Sequence, residues 1–173
     1  MPMSTKLISF ASRQRGVGMV EAMVALVVVS IGMLGIAALY VESVRANRTA
    51  LLRTQAINLA NDMADRIRAN RMARDAYALA VGELPALGTC VVETNCTREA
   101  LAADDLARWV REVRATLPAS PDGTPPRTRV DVAPAVSAGN PDRYTIEVGW
   151  FEPGSDVENI YRLNLQLIAA PSL

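Results

Sequence analysis

Hydrophobic residues are spaced in three different ways along this chain, and each spacing predicts a different element. From Ala22 to Val41 there are 20 consecutive residues without a charge, which as a helix span about 30 Å, the thickness of a bilayer's hydrocarbon core. A helix buried in a globular core is usually shorter and amphipathic, so this run predicts one membrane pass. Beyond it Leu52, Ala56, Leu59, Met63 and Ile67 recur every three or four residues and form one apolar stripe opposite a charged face. The stripe lasts only about two heptads, too few for a coiled coil, and so predicts packing against the chain's own sheet. A helix unbroken from Val17 to about Ala80 would be about 95 Å long, with Gly82, Pro85 and Gly88 ending it.

A second helix is expected after Thr97, a capping residue, with Glu99 in its first turn. Its buried face would be Ala102, Leu106, Trp109, Val110, Val113 and Leu117, and Pro118 stops it. Pro118 to Pro126 is rich in proline and turn residues and predicts a surface loop. The spacing then changes to two. Strands are expected over Arg127 to Ala133, Arg143 to Phe151 and Ile160 to Ala169. In the second, Tyr144, Ile146, Val148 and Trp150 share a face; in the third, Tyr161, Leu163, Leu165 and Leu167 oppose Arg162, Asn164 and Gln166. Such alternation is that of a half-buried antiparallel sheet, with Pro153-Gly154-Ser155-Asp156 as the turn between the last two strands. The fold class expected is α+β.

At 173 residues the chain has room for one modest domain besides the apolar run. Its formal charge is zero, but Lys6, Arg13 and Arg15 all precede Gly16. A chain cut after Gly16 would keep 15 basic and 18 acidic side chains, mildly acidic and so unlike a protein that holds phosphate through a broad basic face. There is no histidine, which removes the commonest general base and a favoured zinc ligand. No G-x-S-x-G, H-E-x-x-H, phosphate-loop or paired-cysteine metal motif occurs, so no catalytic residue, metal or cofactor is expected. The two cysteines, Cys90 and Cys96, suit either a small disulfide loop or two buried thiols. An extracytoplasmic position selects the disulfide, which would remove about 2 kcal/mol of denatured-state entropy.

Gly16-Val17-Gly18-Met19-Val20-Glu21 sets one carboxylate at the front of the apolar run. A charge moved into hydrocarbon costs about 3 kcal/mol even on the mildest insertion scale, so Glu21 needs a partner. Cleavage after Gly16 would create one, because the new α-amino group of Val17 and the helix dipole both favour a negative group in the first turn. In a helical stack the amine of the next subunit would serve as well and make the pair a register device. A rival reading is a cleaved secretory signal, since Gly35-Ile36-Ala37 offers small residues at the spacing a general signal peptidase reads; it predicts a mature start at Ala38.

Arg13 and Arg15, Gly16, Glu21 five residues on, and then Met23-Val24-Ala25-Leu26-Val27 resemble the type IV prepilin signal. The resemblance implies cleavage between Gly16 and Val17 by a prepilin peptidase, N-methylation of Val17, and retention of the apolar segment as filament core. Val17 stands where the family usually has phenylalanine, and Gly18 where threonine often follows. Nothing between Pro2 and Pro85 is a proline, unlike many major pilins, which leaves Gly32 and Gly35 as the sites for bending. Leu59-Ala60-Asn61-Asp62-Met63-Ala64-Asp65-Arg66-Ile67-Arg68-Ala69-Asn70 is similar to the stem of PilV-type minor pilins. Within it Asp62 and Arg66, and Asp65 and Arg68, have the spacing of helix-surface ion pairs.

The family's ladle fold divides the chain into a leader (1–16), a transmembrane and filament-core helix (17–41), a periplasmic stem (42–81) and a head (82–173). Arg45, Arg48 and Arg53 follow the apolar run almost as densely as Lys6, Arg13 and Arg15 precede it, so charge alone does not orient it. The resemblance does: the N-terminus is cytoplasmic, the head periplasmic, and the subunit moves from the bacterial inner membrane to an extracellular pilus. It also implies the partners, namely the prepilin peptidase and N-methyltransferase, other minor pilins, the major pilin and, in some systems, a tip adhesin. The function implied is to prime pilus assembly or join a tip-associated complex. The first alternative is a type II secretion pseudopilin, which shares leader and ladle. The second is a DNA- or surface-binding module, suggested by seven arginines from Arg45 to Arg74, with Arg71 and Arg74 as phosphate contacts.

Overall fold

The computed structural model describes residues 18–90, 95–137, 139–153 and 155–168. Helix α1 runs from Met19 to Ala69, a 3₁₀ segment from Arg71 to Tyr77, and helix α2 from Arg98 to Thr116. Strands β1 (Thr128–Ala133), β2 (Pro141–Phe151) and β3 (Glu158–Ile168) follow. The chain forms two compact units that divide between Arg45 and Ala46. The first is helix alone, and every one of its described residues is exposed.

The second unit has a core of its own. The strands form an antiparallel meander in the order β1-β2-β3, with Val130 opposite Ile146 and Ile146 opposite Leu163. The alternation expected of β2 is present, since Tyr144, Ile146, Val148 and Trp150 are all buried. Against that face pack Ala56, Leu59, Ala60, Met63, Ala64 and Ile67 of α1 and Ala102, Leu106, Trp109, Val110 and Val113 of α2. The apolar stripe on α1 thus finds its partner within the chain, as its short length predicted. Helix α2 begins as its sequence indicates: the Thr97 hydroxyl accepts the Ala100 N–H at 3.1 Å. It ends with Leu117 extended, before Pro118.

Helix α1 stops at Ala69, well short of the expected end near Ala80. No proline or glycine marks the place; tertiary contacts do. The Asn70 side chain donates to the Arg98 carbonyl at 2.8 Å, which ties the end of α1 to the start of α2. Four residues on, Arg74 takes a positive φ of 46°, rare outside glycine, and its guanidinium makes a two-pronged contact with Asp142 at 2.8 and 3.0 Å. Leu79 then pairs with Val130 on the edge of the sheet. The segment expected to continue the stem therefore belongs to the same compact unit as the sheet.

From Leu79 the chain runs back along α2 as a strap. Arg114 donates to the Gly82 carbonyl at 3.4 Å, Arg111 to the Pro85 carbonyl at 3.1 Å, and the Gly88 N–H to buried Asp104 at 2.9 Å. These contacts recur every third residue of the strap, and a Cys90–Cys96 disulfide with Cα atoms 5.6 Å apart closes its end just before α2 begins. On the outer face of the sheet, Arg127 and Glu158 form an ion pair at 2.9 Å directly over Gly149. A Cβ there would lie 2.6 Å from the Glu158 carboxylate and 2.8 Å from the Arg127 Cβ, which is why the strand carries a glycine in mid-course.

Candidate assembly site

The apolar run is all helix and all surface. Every large hydrophobic side chain from Met19 to Val41 is between 50% and 88% exposed. A chain in water does not keep so large an apolar area uncovered, so this helix requires lipid or other apolar helices around it. Beyond its first turn its backbone is satisfied within the helix, and the Ser30 hydroxyl donates back to the Leu26 carbonyl at 2.7 Å. Gly18 opens the helix: its carbonyl accepts the Glu21 N–H at 2.9 Å and the Ala22 N–H at 3.2 Å. Glu21 is thereby held in the first turn, where the free N–H groups and the dipole present positive charge. Its carboxylate is exposed and, among the described residues, forms no ion pair. Gly16 and Val17, the expected cleavage and methylation positions, lie outside the described residues.

The stem residues singled out in the sequence have a different place. Leu59, Met63 and Ile67 are core. Asp62 and Arg66 pair at 2.8 Å, and Asp65 with Arg68, as their spacing predicted. Arg66 goes further and reaches Asp105 and Glu112 of α2 at 3.3 and 3.9 Å. Burial works against its charge, but the two aspartates outweigh burial and hold its guanidinium above the usual range. Buried Tyr77 donates to Asp105 at 2.8 Å. Burial first, and the neighbouring carboxylate second, push that hydroxyl well above the ordinary tyrosine value. Trp109, fully buried, donates its indole N–H to the Leu59 carbonyl at 2.8 Å and so bolts α2 to α1. The stem residues singled out in the sequence thus join α1, the 3₁₀ segment and α2.

Asp142 went unremarked in the sequence. It is 1% exposed at the end of the core face of β2, and besides Arg74 it accepts the Ala135 N–H of the β1–β2 connection. The Arg74 guanidinium holds its carboxyl below the usual aspartate range despite burial. The signal was an acid in phase with Tyr144, Ile146, Val148 and Trp150, a position that demands a charged partner. Arg74, expected as a phosphate contact, is committed to this carboxylate, whereas Arg71 stays exposed. Cys90 and Cys96 are joined, so the disulfide is the alternative that holds.

An exposed apolar helix that begins with a lone acid and continues into a closed α+β head defines a subunit that fits membrane anchoring and assembly through that helix. Two families match the chain in tandem: the prokaryotic N-terminal methylation motif over residues 11–37, and the Tt1218-like type IV pilin over residues 38–107. Together the two matches support a type IV pilin. The methylation motif implies processing by a prepilin peptidase and assembly with other pilins. No curated protein and no solved structure matches the chain.

Proposed function

We propose that this chain is a minor pilin of the PilV type, which primes type IV pilus assembly or takes part in a tip-associated complex of minor pilins. The observation that carries the proposal is the bare helix from Met19 to Val41 with Glu21 in its first turn. Such a helix moves from bilayer to filament core at little cost, because lipid tails and neighbouring apolar helices are similar surroundings. In this reading the peptidase cuts between Gly16 and Val17, the new terminus is N-methylated, and the amine of Val17 faces Glu21 of its own or an adjacent chain. That ion pair fixes the register of one subunit on the next. The N-terminus is cytoplasmic before cleavage and the head periplasmic, where the Cys90–Cys96 disulfide is stable. Similarity to the PilV-type stem between Leu59 and Asn70 favours the pilus over a secretion piston.

Mass analysis of the mature N-terminus tests this directly. Methylated Val17 is expected; a start at Ala38 would make the apolar run a secretory signal, and an intact Met1 would remove the prepilin reading.

A further inference from the structure

The two edges of the sheet are finished differently. Strand β1 has six residues, and Val130 already exchanges backbone hydrogen bonds with Leu79 at 2.9 and 3.1 Å along its outer edge. Because the Arg127 carbonyl accepts the Gly149 N–H, the odd residues of β1 bond to β2. By the alternation of an antiparallel ladder, the even residues of β2 bond to the odd residues of β3. The N–H and C=O groups of Ile160, Arg162, Asn164 and Gln166 therefore point away from the sheet.

Strand β3 has eleven residues, pairs with β2 without a bulge from Glu158 opposite Phe151 to Ile168 opposite Pro141, and contains no proline. Among the described residues no other strand pairs with it. Edges meant to stay free are usually short, bulged, broken by proline or guarded by charge. The two charges of β3 are drawn away from the edge, Glu158 by Arg127 at 2.9 Å and Arg162 by Glu147 at 2.6 Å. The side chains show the same deficit. Ile146 and Val148 are 0% exposed, whereas Leu163 and Tyr161 opposite them are only half-buried. Among the described residues, then, both the backbone groups and the half-buried side chains of β3 leave room for one more strand.

We propose that the edge of β3 receives an extended strand from a different polypeptide of the same assembly, uncharged and apolar at alternate positions. The edge has no unpaired charge to offer, so a charged strand would lose hydration without gaining a partner. Apolar residues at every second position would cover Tyr161 and Leu163 while the backbone completes the ladder. A second copy of β3 is a poor occupant. Parallel pairing would set the apolar row of one copy beside the polar row of the other. Antiparallel pairing would run the two heads in opposite directions, whereas subunits rooted in one membrane run the same way. That last step rests on the pilin reading above.

The test uses the full chain in detergent micelles and, as probe, a fluorescent nine-residue peptide of alternating valine and threonine, read by anisotropy. Saturable binding is expected, weakened about ten-fold or more by Asn164→Pro and by Gln166→Pro, since each removes an outward hydrogen bond. Neither variant breaks the backbone ladder to β2, and Asn164→Pro gives up only the exposed hydrogen bond its side chain accepts from Thr145 at 3.0 Å, so the melting temperature should fall by no more than a few degrees. Val132→Pro, on the opposite edge, should leave binding unchanged. Absence of binding, or equal binding by Asn164→Pro, would overturn the proposal. So would a wild-type dimer in micelles that Asn164→Pro makes monomeric, because a second copy would then be the occupant. The mature N-terminus is measured separately: failure of the peptide to bind a chain that begins at methylated Val17 refutes this inference alone.

Discussion

Trp109 is where the helix that enters an assembly is fastened to the head, and Trp109→Phe measures how firmly. The side chain is 0% exposed and its indole N–H meets the Leu59 carbonyl at 2.8 Å. Phenylalanine keeps an aromatic ring in the site but deletes that hydrogen bond, a loss of about 1 kcal/mol. The carbonyl left behind still accepts its own helical N–H, so the additional cost of an unsatisfied acceptor is small. The smaller ring leaves roughly 40 Å³ unfilled, which at about 24 cal/mol per Å³ adds about 1 kcal/mol. The sum is about 2 kcal/mol, and Trp109→Ala should cost about 3–5 kcal/mol. For a unit of this size a loss of 2 kcal/mol lowers the melting temperature by about 6–10 °C. Thermal unfolding of the full chain in micelles, followed by circular dichroism, gives the number. A Trp109→Phe protein melting within a degree of wild type would refute the claim that this contact holds α1 to α2.

Glu21→Ala should still insert and be cleaved but should enter filaments poorly; normal recovery in sheared pili would remove the register role. Gly16→Asp should accumulate as an uncut precursor in membrane fractions, and normal maturation would displace the cleavage site. The Asp142 carboxyl, held low by Arg74, contributes stability above its ordinary pKa and loses it as pH falls through the lowered value. Asp142→Asn should therefore be less stable than wild type at pH 7, with the gap closing between about pH 5 and pH 2; a gap that stays constant in urea melts would contradict the pairing. Cys90→Ser should cost about 2 kcal/mol in chemical denaturation without reductant and nothing further when reductant is added.

Much of this fold was legible because its elements announce themselves by period. The stripe from Leu52 to Ile67, the Thr97 cap and the alternation from Tyr144 to Trp150 each imply an element whose buried face is visible in the residues alone, and all three are present. The end of α1 was not legible, because nothing between Asn70 and Arg74 breaks a helix by itself. Asn70 reaches Arg98 and Arg74 reaches Asp142, which lie 28 and 68 residues away, so the break comes from contacts that no local window contains.

The same reasoning separates the two kinds of charge in this chain. Arg66, Arg74, Asp104, Asp105 and Asp142 lie on or under the head's core and are paired within it, so they serve the fold and are spent. Arg74 illustrates how far composition misleads: among seven arginines between Arg45 and Arg74 it counts toward a basic surface, yet its guanidinium is engaged by a buried carboxylate. Glu21 is the opposite case. It lies at the start of an exposed apolar helix and has no partner among the described residues, a state that costs free energy in lipid until a positive group arrives. The pilin reading supplies that group from the chain's own processed terminus, and so makes a charge with no ion-pair partner among the described residues the one that acts between subunits.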